Sequence, residues 1–193
     1  NCGLRGKGAR SGIIVSGSNS VVARNTIINC EAGIVVYNHL MSGAVDFGAP
    51  FTGKPESLNN ILIEENTLTE NRVVNLRIQS AEGYPISAVI RKNRIGNSRQ
   101  TTVWNLDLNR VGSVYVISNS LFGTGRASLN IRGNFNNLVI AENTFNAVPG
   151  STGHYVAFLG EIDQFTVGRY FTISGNDFQE DLSEASYDLY SNG

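Results

Sequence analysis

The chain is poor in charge, in cysteine and in long apolar runs. Asp, Glu, Lys and Arg make up 16% of 193 residues and nearly cancel at a net −1, which argues against nucleic-acid binding through overall charge. The longest apolar runs are strand-sized, so no membrane insertion is expected. Two cysteines, Cys2 and Cys30, leave a disulfide open, but two small buried thiols are the expectation. Neither H-E-x-x-H nor C-x-x-C, G-x-S-x-G or a P-loop occurs, and "GKGARSG" at 6–12 lacks the strand and helix of a dinucleotide site. His39 and His154 are far apart without ligand spacing, so no metal site and no resident cofactor are expected. Despite 23 asparagines there is no N-x-S/T sequon. The chain opens Asn1-Cys2-Gly3, with neither an initiator Met nor a signal peptide, and is expected to be a segment of a longer chain or assembly.

What is abundant is glycine, 21 residues, and asparagine, a turn-rich composition that leans towards strands. The asparagines recur in one template: apolar, any, apolar, any, any, Asn, any, apolar. It fits around Asn25 (with Ser20 as one weak position), Asn66, Asn93, Asn119, Asn143 and Asn176. The spacings are 41, 27, 26, 24 and 33 residues, the long ones explained by insertions at 40–57 and 147–153. Period-2 alternation on both sides of each Asn reads as two short strands meeting at a bend. A third strand follows in each repeat: "GIVVYN" (33–38), "VVNLRIQ" (73–79), "VWNLDLN" (103–109), "ASLNIRG" (127–133) and "HYVAFLG" (154–160). Three strands per repeat of this length describe one coil of a parallel β-helix.

The pattern resembles the right-handed parallel β-helix repeat of pectate lyases, other polysaccharide lyases, rhamnogalacturonan hydrolases and phage tailspikes, over about residues 11–179. The resemblance implies an all-β, right-handed, single-stranded parallel β-helix, a solenoid of about six to seven coils. It also implies an internal ladder in which Asn25, Asn66, Asn93, Asn119, Asn143 and Asn176 stack in a tight turn, a position suited to Asn because it tolerates left-handed backbone. Residues 1–193 are expected to form one domain. Residues 161–193 carry 7 acidic groups against 1 basic, so the tail at 180–193 is expected to be a C-terminal cap or partial coil. "LRGKGARSG" at 4–12 has no apolar face with which to cover the other end, where more chain or a partner is expected.

In these relatives function lies in the loops and on the outward face of the third strand. Setting Ile34/Val36, Val74/Leu76/Ile78, Leu106/Leu108 and Leu129/Ile131 inward stacks the outward residues in columns. One runs Val35, Asn75, Asn105, Asn130; the next Tyr37, Arg77, Asp107, Arg132; a third begins His39, Gln79, Asn109. For the fifth coil either Tyr155/Ala157 or His154/Val156 continues the strip, and Trp104 falls on the inward parity, in the core. Tyr37, Asn75, Arg77, Asn105, Asp107, Asn130 and Arg132 are the expected carbohydrate-binding residues, because amides, guanidinium groups, a carboxylate and a ring pair with sugar hydroxyls and faces. Two arginines also suit uronate or sialate carboxylates.

The expected function is a carbohydrate-recognising or structural module of a phage tailspike, virion or bacterial surface protein. Its partner would be a polysaccharide or glycan, and its site of action extracellular. The chain would assemble as a homo-oligomer, a trimer among the options, with Val35 and Leu159 suited to a lateral contact. The alternative is a polysaccharide lyase or, second, a glycoside hydrolase acting on an acidic polymer. Arg77, Asp107 and Arg132 would be its catalytic candidates, aided by Asp46 and Lys54, with Ca2+ as the cofactor of a lyase. Against it, calcium needs clustered acidic oxygens, and only Asp107 is on the strip, with Glu161 and Asp163 nearby in sequence order of coils. The adjacent aspartate pair of β-helical polygalacturonases is absent too, Glu64-Glu65 and Glu180-Asp181 being the adjacent acids.

Overall fold

The computed structural model describes residues 11–38, 54–97, 104–123, 127–146, 154–159, 168–179 and 189–192. Among these every regular element is a strand, and the chain winds three strands per turn into a right-handed parallel β-helix. A first six-stranded sheet holds Val21–Ala23, Leu58–Glu64, Ile86–Arg91, Ser113–Ile117, Phe135–Ala141 and Gly168–Ser174. A second holds the three-residue strands Thr26–Ile28, Thr67–Thr69, Arg94–Gly96, Ser120–Phe122, Thr144–Asn146 and Asp177–Gln179. The third sheet has seven strands: Ser11–Val15, Ala32–Tyr37, Val74–Gln79, Trp104–Asn109, Ala127–Arg132, His154–Leu159 and Leu189–Asn192. Leu189–Asn192, from the acidic tail, thus pairs as the last strand of this sheet.

The core is a set of columns running along the axis. Val22, Ile63, Ile90, Val116, Ile140 and Ile173 stack in the first sheet. Ile27, Leu68, Ile95, Leu121, Phe145 and Phe178 stack in the second. Ile34, Leu76, Leu106, Leu129 and Val156 stack in the third. Alternation fits these roles because one side chain in two points inward and meets its equivalent one strand spacing away, about 4.8 Å. The ends differ. Val22 and Ile27 in the first coil are 7% exposed, whereas Phe171 and Ile173 in the last are 42% and 36% exposed. Among the described residues, the apolar side chains of the last coil are thus the more exposed.

Between the first and second strands of each coil lies the recurring asparagine. Its Nδ2 donates to Oδ1 of the next coil's asparagine, at 3.0 Å from Asn25 to Asn66, Asn66 to Asn93, Asn93 to Asn119 and Asn119 to Asn143, and at 2.9 Å from Asn143 to Asn176. The same Oδ1 also accepts the backbone N–H of the preceding asparagine, and Nδ2 further donates to core-strand carbonyls such as Ile63 O and Ile90 O. Each amide thereby satisfies turn groups that no sheet can reach. The left-handed residue of the turn is not the asparagine. It is the residue before it: Arg24, Glu65, Lys92, Ser118, Glu142 and Gly175, with φ of 54–62°. Asparagine is required for its side-chain bonds, not for its backbone freedom.

Cys30 is buried and disulfide-bonded, which overturns the expectation of two thiols; Cys2 lies outside the described residues.

Two substitutions separate these roles. Asn93→Ala leaves the buried Asn66 N–H without its acceptor and removes the side-chain donor to Ile63 O, and is expected to lower stability by about 3 kcal/mol. Lys92→Gly, at φ 54° and exposed, relieves left-handed strain and is expected to be neutral or to stabilise by up to about 1 kcal/mol. Denaturant midpoints of the two variants check both signs.

Candidate functional site on the outer face of the seven-stranded sheet

Backbone pairing puts Val35, Arg77, Asp107, Asn130 and Ala157 in one outward column. Tyr37, Gln79, Asn109 and Arg132 form the next. Arg77 and Asp107 are neighbours as expected, but the first and fourth coils are shifted by two residues from the columns drawn above. A two-residue slip keeps every side chain on the same face, so alternation cannot detect it. Core packing sets the register instead, placing Ile34 on Leu76 and Leu106 on Leu129. His39 lies outside the described residues, as do Asp46, Glu161, Asp163 and the side chains of His154 and Leu159.

The alternation itself breaks where each third strand begins. Asn75 and Asn105 turn to the corner of the coil and are fully buried. Asn75 donates to Gly96 O at 3.2 Å, and Asn105 to Phe122 O at 3.1 Å and Gly123 O at 2.8 Å. Asn71 donates to Asn75 Oδ1 and Asn75 to Asn105 Oδ1, a second, shorter amide chain. Tyr155 begins its strand in the same way, its hydroxyl on Gln179 O and its ring against Phe145 and Phe178 in the core. Of the two options for the fifth coil, then, Ala157 faces outward while Tyr155 does not. Gly33 occupies this corner in the first coil, where a Cβ would lie 2.2 Å from Asn75 O. Asn75 and Asn105 hold backbone here, which leaves no amide for a sugar.

The residue before the corner swings outward in compensation. Val74 and Ala32 belong to an outer apolar cluster with Val35 and Tyr37, onto which Ile14, Val73 and Trp104 pack. Trp104 therefore stands on the outer face rather than in the core. The Arg77 guanidinium carbon lies 5.7 Å and that of Arg132 5.3 Å from its ring centroid, both within cation–π range. A tryptophan opening a strand next to two arginine-bearing strands was the available signal for this, obscured by assigning it a parity.

The centre of the face is ionic. Asp107 Oδ2 accepts from Arg77 Nε at 2.8 Å and Arg132 Nη2 at 2.7 Å; Oδ1 accepts from Asn130 Nδ2 at 2.7 Å and Arg132 Nε at 3.2 Å. Arg132 grips the carboxylate bidentately, although their strands are offset in register, because its long side chain reaches diagonally. The group is not a water-facing strip: side-chain exposure is 0% for Asp107, 9% for Arg77 and 22% for Arg132. Burial holds the Arg77 guanidinium below its ordinary pKa, the charge of Arg132 adds to this, and Asp107 opposes it. Arg77 and Arg132 thus share the carboxylate of Asp107.

This arrangement defines what Asp107 can do. Four hydrogen bonds occupy both of its oxygens, making it an anchor that fixes two guanidinium groups rather than a free acid or base. The described residues do not fit a calcium ion here: among them no three His, Cys, Asp or Glu side chains gather, and two arginines flank the one carboxylate.

No family model matches the chain, and no curated protein does. Among solved structures it is similar to the crystal structure of Dettilon tailspike protein (gp208), with a TM-score of 0.60 and 14% identity. The alignment covers 94% of this chain and 42% of the tailspike chain, so the chain spans less than half the length of that protein. At this identity the likeness is one of fold, the parallel β-helix.

Asp107→Asn is expected to cost about 3–5 kcal/mol, because it strands two largely buried guanidinium groups. Adding Arg77→Met is expected to restore part of that loss. Denaturant midpoints for the single and double variants measure the coupling; equal midpoints for Asp107→Asn and the parent would show that the carboxylate compensates nothing.

Proposed function

We propose that the chain is a glycan-recognising β-helix module of a phage tailspike or a related virion or cell-surface protein, working outside the cell. The observation that carries this reading is the outer-face cluster, in which Arg77, Asp107, Asn130 and Arg132 are held rigidly beside the Trp104 and Tyr37 rings. Charged groups and aromatic surface fixed side by side on a stiff sheet are what a sugar's hydroxyls and ring faces require. A rigid sheet also lowers the ordering cost of binding. The likeness to a tailspike supports the same reading at the level of fold.

The assembly proposed is a homo-oligomer, a trimer of parallel cylinders. Val35, at 2% exposed, is spent within its own subunit and does not serve as the lateral contact. The outer column of the first sheet suits it better: Val21, Leu62, Val89, Tyr115 and Val139 stack there, with Val21 64% exposed. The lyase or hydrolase reading has no observation of its own, since the candidate acid is fully hydrogen-bonded.

An array of bacterial surface polysaccharides tests recognition. The parent chain is expected to be retained on a subset of these glycans, and Arg132→Ala to weaken that retention about tenfold while far-UV circular dichroism shows the coil still folded. Retention on none of them, or retention indifferent to Arg132, would remove the outer face as the binding site.

A further inference from the structure

We infer that Arg94, on the outer face of the second sheet, is the centre of a further saccharide subsite, one that takes the carboxylate of a uronic or ulosonic acid residue. The inference rests on the glycan reading above for the kind of ligand and places it on a different face of the cylinder. The middle residue of each three-residue strand in this sheet points into the core, so the first and third residues face outward. The first positions stack as Thr26, Thr67, Arg94, Ser120, Thr144 and Asp177. Hydroxyl side chains thus flank a single cation. The one acidic residue at the outward positions of this sheet, Asp177, stands three strands further on.

Arg94 is exposed, and the ion pairs among the described residues use Arg72, Arg77, Arg91 and Arg132 but not Arg94. What holds it is a ring. Its guanidinium carbon lies 4.4 Å from the centroid of the Phe122 ring, within cation–π range. Phe122 in turn lies against Gly96, its register partner. A Cβ at Gly96 would meet the Phe122 carbonyl oxygen and, at 2.5 Å, the ring carbons Cγ and Cδ1. Gly96 is thus the seat that keeps the ring close to the sheet and, through it, the cation in place. A guanidinium stacked on a ring keeps its N–H fork for a ligand and has surrendered part of its rotamer freedom before binding. Thr67 and Ser120, its register partners on either side at a strand spacing of about 4.8 Å, are half-buried, and neither hydroxyl is bonded among the described residues. The ligand's chemistry follows from what is open. The fork matches the two oxygens and single charge of a carboxylate, and a neighbouring hydroxyl matches a sugar hydroxyl. A sugar acid carries both groups a few bonds apart, whereas a neutral sugar supplies the hydroxyl alone.

The test is calorimetric titration of the full chain with oligogalacturonate and oligosialate, each beside its carboxyl-reduced counterpart. At least one acidic probe is expected to bind about tenfold more tightly than its reduced form, with affinity falling as salt is raised. Arg94→Gln, a change at an exposed position, is expected to erase that preference. Arg94→Lys, which keeps the charge without the fork, and Phe122→Leu, which removes the ring beneath the cation, are each expected to reduce it about threefold. Equal binding of both acidic probes and their reduced forms, or a preference that survives Arg94→Gln, overturns the subsite and leaves the third-sheet reading to its own Arg132 test. Binding of no probe overturns the subsite as well, and retention on the polysaccharide array then decides recognition separately.

Discussion

A side-chain amide that bonds its own copy one coil further on is the constraint from which the rest of this structure follows. Sheets satisfy the backbone along the faces of the cylinder, but the tight turns leave N–H and C=O groups that no strand reaches. Asn66, Asn93, Asn119 and Asn143 answer that need from inside the turn, each accepting from the coil before and donating to the coil after. Because both ends of every amide are committed, coils cannot rotate or slide past one another without breaking several bonds at once. The core columns of Val, Ile, Leu and Phe are then brought into line as a consequence, and close packing of those columns fixes the register of all three sheets.

The outer face inherits that rigidity. Arg77 meets Asp107 because Leu76 meets Leu106 one position earlier, and the ion pair is as well located as the core beneath it. On a flexible loop, an arginine pair around one carboxylate would collapse onto it or drift into water. Here the strands hold the groups at the spacing of neighbouring coils, so that both guanidinium groups reach the one carboxylate. Trp104 and the apolar patch around Val35 and Tyr37 lower the local dielectric and strengthen what charge interactions remain.

Burial also changes which residues count. Exposure of the outward strip was a reasonable expectation from alternation alone, yet Asn75 and Asn105 are consumed in stitching the corners, and Gly33 is small because Asn75 O lies where a side chain would go. The same polar residue types thus serve two ends, support of the coil and presentation of a surface. Only the identity of the hydrogen-bond partner tells them apart.

The sequence by itself determined the number of strands per coil, the six asparagines of the ladder, the inward residues of the core apart from Val74 and Trp104, and the pairing of Arg77 with Asp107. Each of these is a local pattern repeated at coil spacing, and repetition is visible in one dimension. The tertiary structure alone decided that Val35 stacks on Arg77 rather than on Asn75, that Trp104 faces outward beside Arg132, and that Cys30 is bonded. Shifts by two residues preserve alternation, and corner bends invert it for a single position. Both are settled by how side chains of different coils fill space together, a sum over the whole cylinder that no single strand contains.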